Sequence, residues 1–236
     1  MSVCNLQDLA KALNGQAVGD VALQVTGACE PQDAAGSLLA IATSQSYVER
    51  LPLGQARIAL LAEGTDWHGL NLLGAILVPR PRFAMVGLSQ AFDHRWRPGP
   101  PGIHPQACVE PGAEIGPGVR IGAFCHIAAG AVLGENAWLG SHVTLGEGCT
   151  IGPEATLMAG VRIGAEVRIG ARFIAHPGAV IGGDGFSFMT PERSAIENVR
   201  ETLGDSKGAK PQAFARIHSL GSVVIGDDVE LGANSC

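Results

Sequence analysis

From Ile103 to Ile169 an aliphatic residue returns at every sixth position without a miss: Ile103, Val109, Ile115, Ile121, Ile127, Leu133, Leu139, Leu145, Ile151, Leu157, Ile163 and Ile169. Four positions after each of the first eleven stations stands a small or β-branched residue, among them Ala107, Ala113, Val119, Cys125, Ala131, Val143, Cys149 and Val167. A period of six fits neither the 3.6 of a helix nor the 2 of a simple strand. It predicts a short strand, a corner and another short strand, with one aliphatic side chain per unit pointing into a common interior. Three units close one triangular coil, and coils cover their aliphatic residues only by stacking at about 4.8 Å. The twelve stations therefore supply four coils of a parallel β-helix. Gly follows many stations directly, where a tight corner disfavours a Cβ.

Residues 1–94 lack this rhythm and predict a separate α/β domain. Leu6, Leu9, Ala10 and Leu13 share a helical face that Asn14-Gly15 ends. Val18 to Val25, with Gly19-Asp20 inside it, predicts a hairpin. Apolar runs at Ser37–Thr43, Arg57–Ala62 and Ala75–Val78 predict strands, Ser46–Leu51 a short helix, and Pro81–Phe92 an amphipathic helix with Pro in its first turn. Residues 95–105, with Pro98, Pro100, Pro101 and Pro105, predict a stiff linker into a β-helix over 103–236. Beyond Ile169 the pattern weakens: Ala175 occupies a station and Ile181 recovers the phase. Rhythm returns at Ile225 and Leu231, so the stretch from about 184 to 219 predicts a loop thrown out of the coil.

Composition narrows the class. A net charge of −6 without a basic run argues against a nucleic-acid partner. No stretch is long and apolar enough for a transmembrane segment, and Met1 to Asn5 has no basic or apolar leader character, so a cytoplasmic location is expected. The six cysteines form no Cys-x-x-Cys pair and predict reduced thiols. Cys125 and Cys149 fall in the phase of the small interior residues and are expected to be buried without chemistry.

Three segments carry a more specific likeness. Ile103-His104-Pro105 with its stations, His176-Pro177-Gly178-Ala179-Val180-Ile181-Gly182-Gly183-Asp184-Gly185-Phe186, and Val224-Ile225-Gly226-Asp227-Asp228-Val229-Glu230-Leu231-Gly232-Ala233-Asn234 resemble the UDP-3-O-acylglucosamine N-acyltransferase family of lipid A biosynthesis. The likeness runs over nearly the whole chain. The Asp-Gly-Phe exit, the loop after it and the preceding α/β domain are more specific than the hexapeptides, which many acyltransferases share. The resemblance implies a left-handed β-helix, a homotrimer, a first domain that binds uridine, and acyl carrier protein delivering a 3-hydroxyacyl thioester to UDP-3-O-acylglucosamine. It implies no metal or organic cofactor.

Carried over residue by residue, the resemblance places Tyr47 against the uracil ring and Ser44 beside it as substrate-binding positions. Ile41 and Ser44 stand where that family commonly has an aromatic and an Asn, a departure that puts the form of the uracil pocket in question. The family's catalytic His belongs beyond the segment matching Gly232-Ala233, so no catalytic residue is assigned up to Cys236. A solenoid ending there would leave unpaired strand edges, and the chain is expected to be a truncated, inactive part of such an enzyme. His104 and His176 are four coils apart on one face, about 19 Å by strand spacing, too far to act together. His126 and His142 are read as outward-facing, His218 as the end of the loop, and His68 and His94 as first-domain residues. A trimeric hexapeptide carbonic anhydrase with shared zinc ligands leaves the first domain and the loop without a role. A nucleotide-sugar acetyltransferase using acetyl-CoA and a non-catalytic trimeric scaffold remain as alternatives.

Overall fold

The computed structural model describes residues 4–93, 99–202 and 211–236. The chain divides into two units, Met1–Arg97 and Pro98–Cys236.

The first unit is an α/β layer. Its elements are β1 (Cys4–Asn5), α1 (Leu6–Ala12), β2 (Gln16–Gly19), β3 (Gln24–Val25), β4 (Gly27–Cys29), β5 (Leu38–Ala42), α2 (Gln45–Val48), β6 (Ile58–Ala62), β7 (Gly74–Val78) and α3 (Pro81–Phe92). The main sheet has the order β2-β7-β6-β5-β4, parallel except for β2. Alternation along the strands gives it two apolar faces. Ile58, Leu60, Ile76 and Leu39 pack with Leu6, Leu9 and Leu13 of the α1 segment and Ala84 and Leu88 of α3. Ala40, Ala59, Leu61 and Ala75 face the other way, with Leu51 over them. Helix α1 starts on Asn5, whose side chain accepts the Asp8 N–H at 2.8 Å and satisfies a donor that the first turn leaves open.

The hairpin expected across Val18–Val25 does not form. β2 pairs antiparallel with β7, Gln16 opposite Leu77, while β3 pairs antiparallel with β1. Gly19, at φ +78°, turns the chain away after β2, and the Asp20 N–H then donates to the Leu73 carbonyl. The fully apolar β7 needed a neighbour on its free edge, and the turn residues only announced a change of direction. Of the expected linker, residues 95–98 lie outside the described residues, as does His94.

The second unit is a left-handed parallel β-helix of two-residue strands. Its three faces carry the stations Ile103, Ile121, Leu139, Leu157, Ala175 and Leu231; then Val109, Ile127, Leu145, Ile163 and Ile181; then Ile115, Leu133, Ile151, Ile169 and Ile225. The stations from Ile121 to Ile181 are buried, with the small column between them. The weak point at Ala175 has a packing cause. Phe173, two residues earlier in the small column, is fully buried, so a large side chain and a small one have exchanged places at nearly constant volume. Corners use left-handed backbone at Asn136, Glu154, Arg172 and Asp228, and also at Phe124 and His142, where such φ values are uncommon for bulky residues.

After Ile181 the chain leaves the stack. Phe188–Met189 pairs antiparallel with Ala215–Arg216, and a helix α4 (Ala195–Thr202) lies between them in sequence. Asp184 anchors the stem through Arg216 at 2.9 Å, and the Gly185 N–H donates to Ser219 Oγ at 2.9 Å. Of the expected loop, residues 203–210 lie outside the described residues. The chain re-enters at Val224–Ile225, paired with Arg168–Ile169.

Candidate functional site

The parallel strands β4 to β7 end along one edge of the first unit, the edge where open α/β sheets usually receive ligands. β5 stops at Ala42, and Thr43-Ser44 lead straight into α2. Ser44 is the N-cap residue with extended backbone, φ −136° and ψ 161°, yet its side chain makes no capping bond. Its hydroxyl instead lies 3.0 Å from that of Ser46. Tyr47 follows on the same short helix and is 36% exposed. The Arg50 guanidinium carbon stands 5.2 Å from the ring centroid, a cation over an aromatic face. Ser44 and Tyr47, the two positions singled out from sequence, therefore share one helix start at the carboxyl edge of the sheet. Arg50 was missed, although its place one turn after an aromatic residue was legible. Ile41 is half-buried against the α1/α3 side of the sheet, so it belongs to the core there.

A cavity of about 290 Å³ in this unit is lined by Leu23, Gln24, Gly36, Ser37, Arg57 and Ile58, and includes neither Tyr47 nor Ser44. It lies at the starts of β5 and β6, the opposite end of these strands.

In the β-helix the histidines are separated and individually engaged. His126 Nε2 meets Glu110 Oε1 at 2.8 Å, and Glu110 Oε2 accepts the Ala129 N–H at 2.9 Å. The Ala129 amide, then His126, hold the Glu110 carboxyl below its ordinary value. His142 stacks on Phe124 with ring centroids 5.1 Å apart, which gives two strained corner residues a common contact. His176 Nε2 meets Glu230 Oε1 at 2.6 Å. His104 Nδ1 accepts the Gln106 N–H at 3.2 Å. Among the described residues no three His, Cys, Asp or Glu side chains gather as a metal site. The sequence placed His126 and His142 outward but did not give their partners: Glu110 is reached across a corner and not at a whole coil's spacing, whereas Phe124, one whole coil before His142, was legible and missed.

Cys125 and Cys149 are buried in the stack, and burial pushes the Cys149 thiol up to about 11. Cys125 Sγ donates to the Gly140 carbonyl at 2.9 Å. Neither is placed for nucleophilic work. The excursion holds an open cavity of about 530 Å³ walled by Phe188, Met189, Ile196 and Phe214. No described helix is long and apolar enough to cross a membrane.

Comparison with known proteins extends these observations. The family model described as bacterial transferase hexapeptide (six repeats) matches residues 112–146, 130–165 and 142–172. A protein of Ruegeria pomeroyi named UDP-3-O-acylglucosamine N-acyltransferase is 60% identical over 98% of this chain, and one of Paracoccus denitrificans with the same name is 61% identical over 98%. The chain spans 63% and 62% of the length of these two relatives. Among solved structures, an Arabidopsis UDP-N-acetylglucosamine acyltransferase matches 34% of this chain and 29% of its own, at 31% identity and a TM-score of 0.32. A structural likeness that slight adds nothing to the fold described above.

Proposed function

This hexapeptide-repeat chain is homologous along 98% of its length to proteins named UDP-3-O-acylglucosamine N-acyltransferase, and from that premise we propose that it serves the transfer of a 3-hydroxyacyl chain to the 2-amine of UDP-3-O-acylglucosamine. The observation that carries this reading is the extent of the likeness. The alignment, 60% identical overall, takes in the α/β unit and the excursion as well as the repeats that the hexapeptide family model matches.

In this reading the first unit holds the nucleotide. The exposed face of Tyr47 stacks on uracil, where a planar base gains from an aromatic surface. The Ser44 hydroxyl, free of any capping duty, offers a hydrogen bond at the base edge. The coils form the scaffold of a homotrimer in the cytoplasm, and acyl carrier protein presents the thioester on its phosphopantetheine arm. Transfer is direct: a general base takes a proton from the amine as nitrogen attacks the thioester carbonyl, and a backbone N–H stabilises the oxyanion. Alignment of two large substrates supplies much of the rate. We assign the base to none of the histidines described above. The 236-residue chain is expected to bind UDP without catalysing transfer.

Calorimetric titration with UDP and with uridine tests the assignment. Tyr47→Ala should weaken both by about tenfold, the scale of one stacking contact, and Tyr47→Phe should bind as the parent does. Equal affinity of the Ala variant and the parent would remove Tyr47 from the site. Turnover by this chain with 3-hydroxyacyl carrier protein would refute the assignment of no base.

A further inference from the structure

The apolar rhythm resumes at Ile225 and Leu231, but short matches to the coil pattern occur at more than one place after the excursion. Three successive segments offer an aliphatic residue followed by Gly and, three positions later, a residue suited to the small column. They are Leu220-Gly221 with Val224, Ile225-Gly226 with Val229, and Leu231-Gly232 with Ser235. Any of them could lie on Ile169-Gly170. Backbone conformation discriminates no better between the last two, since Asp228 and Asn234 adopt nearly the same left-handed φ, +56°. In the unbroken coils chain continuity fixes the register, but across residues 182–223 it fixes little.

In the structure Ile225 lies on Ile169, and the bonds that distinguish this register are polar. Asp228 grips Arg172 through two bonds, Nε to Oδ1 at 2.6 Å and an Nη to Oδ2 at 2.7 Å. Asp227 Oδ1 accepts the Ala171 N–H at 2.8 Å, and Glu230 meets His176 at 2.6 Å. Ser222 Oγ donates to the Glu166 carbonyl at 2.6 Å. Arg172 also feels Glu154 in the coil beneath, so one corner carries carboxylate, guanidinium and carboxylate in consecutive coils. Asp228 is held below the usual carboxylate range by this contact.

The alternative registers lose these contacts. A shift to Leu231 would set Asn234 against Arg172 and Cys236 against His176. A shift to Leu220 would set Val223 and Ile225 there. Neither supplies a carboxylate at either place.

We infer that Arg172, Asp228, His176 and Glu230 form a charged clasp that selects the register in which the chain re-enters the β-helix. In the observed register Ile225, Val229 and Leu231 pack against the core, whereas the Leu220 register would bring Gly226 to the next station and the Leu231 register would leave Ile225 and Val229 unburied. To this apolar preference the charged groups add a directional one, and a bidentate Arg–carboxylate pair is the most geometrically demanding of these. The clasp thereby positions both ends of the Asp184 excursion relative to the coils below.

Paired cysteines test it in the full chain carrying Cys108→Ser and Cys236→Ser. Arg168→Cys with Val224→Cys reports the observed register, since these residues are Cα partners. Thr150→Cys with Arg168→Cys reports the unbroken stack as a control. Arg172→Glu, which aligns three carboxylates, should lower disulfide yield at 168/224 by about threefold or more and leave 150/168 unchanged. The exchange Arg172→Glu with Asp228→Arg should restore it. An unchanged 168/224 yield in the single variant, or no recovery in the exchanged one, would overturn the inference. So would an equal fall at 150/168, which would show that Arg172 supports the stack generally.

Discussion

The two units solve the burial problem in opposite ways. In the α/β unit each strand is unique: β6 lies between β5 and β7, and Ile58 and Leu60 face one helix pair while Ala59 and Leu61 face away. In the β-helix the strands are two residues long, and in the unbroken coils each meets a near copy of itself eighteen residues on, as Ile127 meets Leu145. Uniqueness makes the first unit's topology hard to mistake once folded and hard to read beforehand. Repetition does the reverse, so positional information in the second unit must come from residues that break the repeat.

Substitutions can sharpen that contrast. The largest effect is expected from Gly152→Ala, because a Cβ there would run into the carbonyl group of Gly170 in the next coil, backbone that yields only if the coils part. A loss above about 4 kcal/mol is expected in denaturant unfolding, with amide protection lost on the neighbouring coils. Phe173→Ala should cost about 3–5 kcal/mol, and adding Ala175→Leu should recover part of it, since the two positions exchange volume within one coil. Additive losses in the double variant would deny that exchange. Leu60→Ala should cost about 2–5 kcal/mol in the first unit, leaving exchange protection of the coils as it was. A matching loss in the coils would mean that the two units do not unfold separately.

The smallest effect is a pH limb. Arg172 lowers the folded-state value of Asp228 below its unfolded one, so the stabilisation is complete above the ordinary carboxylate range and vanishes as pH falls through the folded value. Acid titration followed at the Ala171 and Ile174 amides should show this loosening, and Asp228→Asn should flatten it. Glu110, lowered by the Ala129 amide and His126, predicts the same sign at the Ala129 amide.

These contrasts also explain what could be read in advance. The stations from Ile103 to Ile169 were legible because a six-residue period has essentially one three-dimensional meaning. The Pro81–Phe92 helix was legible from its own face and its first-turn Pro. The Val18–Val25 segment was misread because a turn signal names no partner, and β7 lies more than fifty residues away. Tyr47 and Ser44 came from resemblance alone; nothing in their own pattern separates them from a half-buried helix start. The clasp was illegible because its spacing depends on the length of the excursion, with 56 residues between Arg172 and Asp228.

The buried thiols supply a consequence for solution work. Cys125 and Cys149 sit inside the stack at different corners, whereas Cys108 and Cys236 are open to solvent. A thiol reagent in excess should therefore consume the two exposed groups promptly, the half-buried Cys4 and Cys29 of the first unit more slowly, and the interior pair only as fast as the coils separate. The slowest phase is a clock for the breathing of the β-helix, carried by the native sequence and needing no introduced label.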